Sequence, residues 1–180
     1  MKTIDLLTNK ILRDEVINEE RLEILDKVKK LTMLENTEYM TTELVAEYYE
    51  VTESAIKSLV SRNQEELLKN GYKVLIKQEL KDFKGKLHNA TTLLKIKFVS
   101  QLALFNKRSI LNVGMLLEES KVAEQVRTLL LDNHEQLNNI HEKLENGEKI
   151  NQEDINKTST TYYIDKETEL RNKEKELSEQ

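Results

Sequence analysis

The chain has 180 residues, 28 basic and 33 acidic side chains, a net charge of −5, 38% hydrophobic residues, and neither cysteine nor proline. The missing cysteines exclude disulfides and thiolate metal sites and suit a reducing cytoplasm, while the low apolar and high charged content predicts a mainly α protein with part of its length outside a core. No apolar run reaches the length of a membrane span, and a start that carries Asp5, Asp14 and Glu15 does not resemble a signal peptide, so the reading is a cytoplasmic chain with no membrane partner.

Residues 1–36 read as an N-terminal amphipathic helical arm. Ile4, Leu7, Ile11, Leu12, Val16, Ile17, Leu22, Leu25, Val28 and Leu31 recur mostly three or four apart among charges, which predicts one long helix or two broken near Asn18. Such a helix needs a surface to bury its stripe. Its own chain and a second subunit are equally good candidates.

The chain from Thr41 to Asn63, TTELVAEYYEVTESAIKSLVSRN, is the stretch that the rest is organised around. Leu44, Val45, Tyr48 and Tyr49, then Ile56, Leu59 and Val60, give two short helices one apolar face each, and Val51 plugs the turn between them. The pattern is that of a helix-turn-helix. Glu50 stands in the turn where glycine is usual, because a positive φ tends to be needed there. Thr52 is placed to cap the second helix, which turns Ser54, Lys57, Ser58, Ser61, Arg62 and Asn63 outward. These are hydroxyls, cations and an amide, the groups that bond phosphate and base edges. Thr42, at the start of the first helix, joins the candidate DNA contacts.

Asn70-Gly71 ends the helical run, and Tyr72 to Lys77 has the composition of a strand, followed by a helical turn over 78–83 and a polar loop over 84–92. A second strand is expected at 93–98, where Lys95 and Lys97 alternate with Leu94, Ile96 and Phe98. The two strands form a β-hairpin wing whose Lys73, Lys77, Lys95 and Lys97 lie along a phosphate backbone. Charge supports that placement: residues 64–108 hold 10 basic and 4 acidic side chains, while 37–63 hold 2 and 5. The expected fold is therefore a winged helix-turn-helix over 37–105, mainly α with a small β-hairpin, flanked by long N- and C-terminal helices.

Residues 106–147 return to helix, with Ser120 as an N-cap, Gly114 at a close crossing, and Lys107, Arg108 and Arg127 solvated. Residues 148–180 form a charged tail in which Ile164, Leu170 and Leu177 mark at most the seam of a weak coiled coil. The tail either orders on pairing, as homodimer or with another protein, or is a truncated piece of something longer.

A catalytic constellation is missing. His88, His134 and His141 read as solvated, the carboxylates are unclustered, and four glycines build no phosphate loop. The expectation is a protein without enzymatic activity, cofactor or metal.

The segments Thr41 to Leu75 and Leu102 to Leu131, LALFNKRSILNVGMLLEESKVAEQVRTLLL, resemble DNA-binding regulators found on phages and plasmids of low-GC Gram-positive bacteria, of the antirepressor, Rha and KilA-N group. The helix-turn-helix also looks like that of MerR-type regulators. The resemblance implies a dimeric winged helix-turn-helix that binds double-stranded DNA through Thr52 to Asn63. It implies transcriptional control of a mobile element, or an accessory or adaptor role in a partition system. A helical protein-protein adaptor that binds no DNA is the competing class, favoured by the net −3 of residues 37–63.

Overall fold

Residues 3–17 and 19–150 are described by the computed structural model. Residues 3–28 do not form the long helix that their periodicity predicts. Helix α1 (Thr3–Thr8) gives way to α2 (Lys10–Val16) at Asn9, whose side-chain oxygen accepts the Leu12 N–H at 3.1 Å. Ile17 is extended, a 3-10 turn spans Glu19–Leu22, and α3 (Glu23–Val28) follows. The bends have a packing reason. Leu6, Leu12, Val16, Ile17, Ile24 and Leu25 are all buried in one cluster with the central helices, and a straight helix would carry half of them away from it. Most of the N-terminal stripe is thus buried on its own chain, while Ile11 is exposed.

The two central helices form where the apolar spacing placed them. After strand β1 (Met40–Thr41), α4 (Thr42–Tyr49) starts with Thr41 accepting the Leu44 N–H, and α5 (Glu53–Arg62) starts with Thr52 accepting the Ala55 N–H at 3.2 Å. Between them Glu50 has φ +57° and ψ +43°, the left-handed conformation that the turn requires. Glutamate holds it with help from Lys29, whose Nζ donates to the Glu50 carboxylate at 2.9 Å and to the Glu47 and Tyr48 carbonyls at 3.3 Å. A cation at the end of α4 also offsets the helix dipole.

Short helix α6 (Gln64–Lys69) continues from α5 and ends at Gly71, with φ +93°. A side chain there would overlap the Asn106 amide. Strand β2 (Lys73–Ile76) follows, and here the expected wing changes form. The helical turn expected over 78–83 is the longer helix α7 (Lys77–Lys86), the segment expected as a polar loop and second strand holds α8 (Ala90–Ile96), and the partner strand is β3 (Gln101–Phe105). Period three beats period two at 93–98: Asn89 caps α8 by accepting the Thr92 N–H at 2.9 Å, and Leu93 and Ile96, three apart, both pack into a second core. Lys95 and Lys97 consequently do not share a strand face.

The sheet is antiparallel in the order β1-β3-β2, with Met40 opposite Phe105, Lys73 opposite Leu104 and Ile76 opposite Gln101. Leu75, Leu102 and Leu104 face the second core, built with Leu80 and Leu87 of the inserted segment, while Phe105 joins the main one. Helices α9 (Lys107–Leu116) and α10 (Lys121–Glu145) close the main core, capped by Asn106 and Ser120. Gly114 does serve a close approach: a Cβ built on it would stand 2.5 Å from the Tyr49 hydroxyl, which donates to the Ile110 carbonyl at 2.6 Å. Arg127, expected in solvent, is buried and donates to the Gly114 and Leu117 carbonyls at 2.8 and 2.6 Å, stapling α10 to the end of α9. The coiled-coil seam expected at Ile164, Leu170 and Leu177 lies outside the described residues.

Candidate nucleic-acid interface

Helix α5 buries Ile56 and Leu59 and turns Ser54, Lys57, Ser58, Ser61 and Arg62 to solvent. The other two members of that set are structural in this fold. Thr52 spends its hydroxyl on the helix cap, and Asn63 donates its amide to the Leu59 carbonyl at 3.0 Å. Thr42 is half-buried at the start of α4.

A cleft of about 670 Å³ runs between α5 and the sheet with its insertion, and it gathers residues that are far apart in sequence. Lys57 and Ser61 line it from α5 and Lys95 from α8, with Thr42, Val74, Val99 and Ala103 also in its lining. The cleft also holds carboxylates. Lys57 pairs with Glu53 at 2.8 Å and Lys95 with Glu43 at 2.8 Å, and the bond to Glu43 raises the Lys95 pKa above its ordinary value. Both pairs are exposed, so each contributes little and its lysine is readily given up to another anion. Arg62 faces a different groove of about 460 Å³, beside Glu50, Glu118 and Glu119.

The wing lysines divide. Lys73 is half-buried, donates to the Tyr39 hydroxyl at 2.8 Å, and sits 4.0 Å from the Tyr39 ring centroid, a cation–π contact that ties β2 to the segment before β1. Lys77 opens α7 with φ +47° and is exposed. Lys95 and Lys97 lie at the C-terminal end of α8, both exposed. The structure therefore brings Lys57, Ser61 and Lys95 to one cleft and leaves Arg62 and Lys73 outside it.

One set of residues escapes the sequence reading altogether. Arg13 and Glu66 form a bidentate pair, both bonds 2.8 Å and both side chains buried; Asn112 donates to the same carboxylate at 2.7 Å, and Asn70 donates to Asn112 at 3.2 Å. Arg108 reaches Asn70 from the rim at 3.0 Å. Burial works to raise the Glu66 pKa, and the Arg13 and Asn112 bonds outweigh it, holding the carboxyl below its ordinary value. This network locks α2, α6 and α9 together. The sequence carries half a signal for it: Glu66 and Asn70 sit with Leu67 on the buried side of α6, polar groups where apolar ones are expected, but nothing names partners 53 and 42 residues away.

No known protein family, curated protein or solved structure matches the chain. Among the described residues, no helix is long and apolar enough to cross a membrane, and no group of three His, Asp or Glu side chains is placed to hold a metal ion. His134, expected in solvent, is half-buried with Arg21 Nη2 3.3 Å from its Nδ1; burial and that cation lower its pKa.

Proposed function

We propose that this chain is a sequence-specific DNA-binding protein, a transcriptional regulator of a phage, prophage or plasmid, that reads the major groove with α5. The observation that carries the reading is the face of α5: between the Thr52 cap and Arg62 the side chains open to solvent are Glu53, Ser54, Lys57, Ser58, Ser61 and Arg62, all hydroxyls or charges. The left-handed Glu50 turn supports it by holding α4 and α5 as a helix-turn-helix. The sheet supports it as well, since a strand before α4 that pairs with the last of three strands gives the order of a winged helix-turn-helix, with helices α7 and α8 replacing the hairpin tip. The origin on a mobile element rests on the resemblance of Thr41 to Leu75 and Leu102 to Leu131 alone.

Lys57→Ala combined with Arg62→Ala removes two exposed cations without touching the core. The expected result is loss of discrimination between DNA from beside the protein's own gene and random DNA, with an unchanged thermal melt. Unchanged affinity and selectivity would remove α5 as the reading helix. One observation favours a second reading, a helical adaptor that contacts protein: Glu43 and Glu53 stand in the same cleft as the lysines, and Glu118 and Glu119 beside Arg62. Double-stranded DNA as partner and the homodimer both belong to the proposal; sedimentation of the free and DNA-bound protein measures the second.

A further inference from the structure

The insertion between β2 and β3 is chemically unlike the rest of the chain. Residues 77–100 hold six lysines against Glu79 and Asp82, a net +4, so the remainder of the protein carries −9. At the end of this basic element stands an apolar side chain that no core residue covers. Phe98 is 89% exposed and Leu94, four residues earlier, is 69% exposed, in a chain that buries its other phenylalanines wholly or in part. Lys97 holds its ammonium 5.2 Å from the Phe98 ring, and Lys95 lies between the two apolar side chains in sequence.

The turn that carries Phe98 is braced from behind. Lys84 Nζ donates to the Lys97 and Val99 carbonyls, 3.2 Å each, on both sides of the phenylalanine, so the ring is presented on a fixed base. The base sits beside the candidate reading helix, because Lys95 and Val99 line the cleft that Lys57 and Ser61 also line.

Resting on the DNA-binding reading, we infer that Phe98, with Leu94 behind it, is a wedge that enters the minor groove next to the α5 contact and unstacks one base step, while Lys95 and Lys97 hold the flanking phosphates. An apolar side chain between base steps kinks a duplex toward the major groove and lets it wrap more protein, and cations on either side of the wedge supply the attraction that brings it there. Charge complementarity selects this occupant: the only strongly basic segment of an acidic chain is the one that carries the bare ring. An anionic membrane is the weaker fit. Surface-lying helices bury a whole apolar face, and α8 turns Leu93 and Ile96 inward and exposes Leu94, with Phe98 and Val99 following beyond its end.

The probe is a mixed-sequence duplex with 2-aminopurine at successive steps, titrated with the full chain, with Phe98→Ala, and with Lys95→Ala/Lys97→Ala. The wild-type protein is expected to bind and raise 2-aminopurine fluorescence. Phe98→Ala is expected to abolish the rise, to weaken binding about tenfold, at the scale of one lost base–aromatic contact, and to leave the log–log salt slope unchanged. The double lysine variant is expected to lower that slope by about 1.8, at 0.9 per phosphate. The chain has no tryptophan, so the indole introduced by Phe98→Trp reports alone, and its emission is expected to be quenched by the duplex. Wild-type binding without a fluorescence rise, or a rise that survives Phe98→Ala, overturns the wedge and leaves the DNA reading standing. No binding of the duplex by the wild-type chain overturns both. Association with phosphatidylserine–phosphatidylcholine vesicles that Phe98→Ala removes, with no unstacking of the duplex, overturns the wedge in favour of a lipid surface.

Discussion

Replacing Arg13 by methionine isolates the buried network. Arg13 supplies two bonds to Glu66, and its Nη1 also donates to the Leu6 and Leu7 carbonyls at 2.8 and 3.2 Å. Methionine fills much of the space and removes the charge, which leaves a buried carboxylate with Asn112 as its remaining side-chain donor. Stranding one member of a buried pair costs about 3–5 kcal/mol, a large part of the roughly 5–15 kcal/mol that holds a domain together. The pH dependence gives the cause a signature. In the wild type, Glu66 titrates below its ordinary 4.5, so its stabilising contribution is complete above that value and is lost as pH falls through the lower, folded value. In Arg13→Met the desolvation remains and the cation is gone, so the folded pKa lies above the unfolded one and acidification relieves the variant. The loss measured by urea denaturation is therefore expected to be largest at neutral pH and to shrink toward about pH 4. A loss under about 1 kcal/mol, the scale of an exposed pair, or one independent of pH, would refute the reasoning.

Gly114→Ala drives a methyl group against the Tyr49 ring and hydroxyl; overpacking of about 1–3 kcal/mol outweighs the helix-propensity gain of about 1 kcal/mol, and Tyr49→Phe in the same chain is expected to recover part of the loss in thermal melts. At Glu50, a β-branched residue is strained at φ +57°, so Glu50→Val is expected to cost about 1–2 kcal/mol, whereas Glu50→Gly stays within about 1 kcal/mol of wild type because glycine's freedom offsets the lost Lys29 contact; equal stabilities of the two variants would contradict the turn geometry. Glu43→Gln with Glu53→Gln frees Lys95 and Lys57 and removes two like charges from the cleft wall. Affinity for any duplex is expected to rise roughly fivefold at low salt, on about 1 kcal/mol for unit charges near 4 Å in water, and the gain is expected to fade as salt screens it; weaker binding would place the carboxylates in the contact surface itself.

What was legible in the chain was local. The threonine and serine caps at Thr52 and Ser120, the apolar faces of α4 and α5, and the Asn70-Gly71 stop all depend on neighbours within four residues, and each lies where its signal puts it. At the N-terminus the stripe admits one helix or two broken near Asn18; the chain does leave the helix at Ile17, and it breaks again at Asn9 to wrap a core that the spacing alone does not reveal. Segment 93–98 is ambiguous for a related reason: Leu-Leu-Lys-Ile-Lys-Phe fits period two by alternation, and the competing cap at Asn89 with Leu93 and Ile96 on one side wins only once a second core is there to receive them. Of the candidate interface, the composition of the α5 face was readable. That Glu43 pairs with Lys95 was not, since the two lie 52 residues apart.

The most direct measurement of the central claim is a salt titration of binding to DNA from beside the protein's own gene, with random DNA of equal length alongside. The account predicts site-selective binding that weakens linearly on a log–log scale, by about 0.9 per phosphate contacted, with several phosphates engaged. Failure to bind either duplex at about 50 mM salt, where weak non-specific binders still register, would contradict it and make the α4–α5 pair a surface for protein.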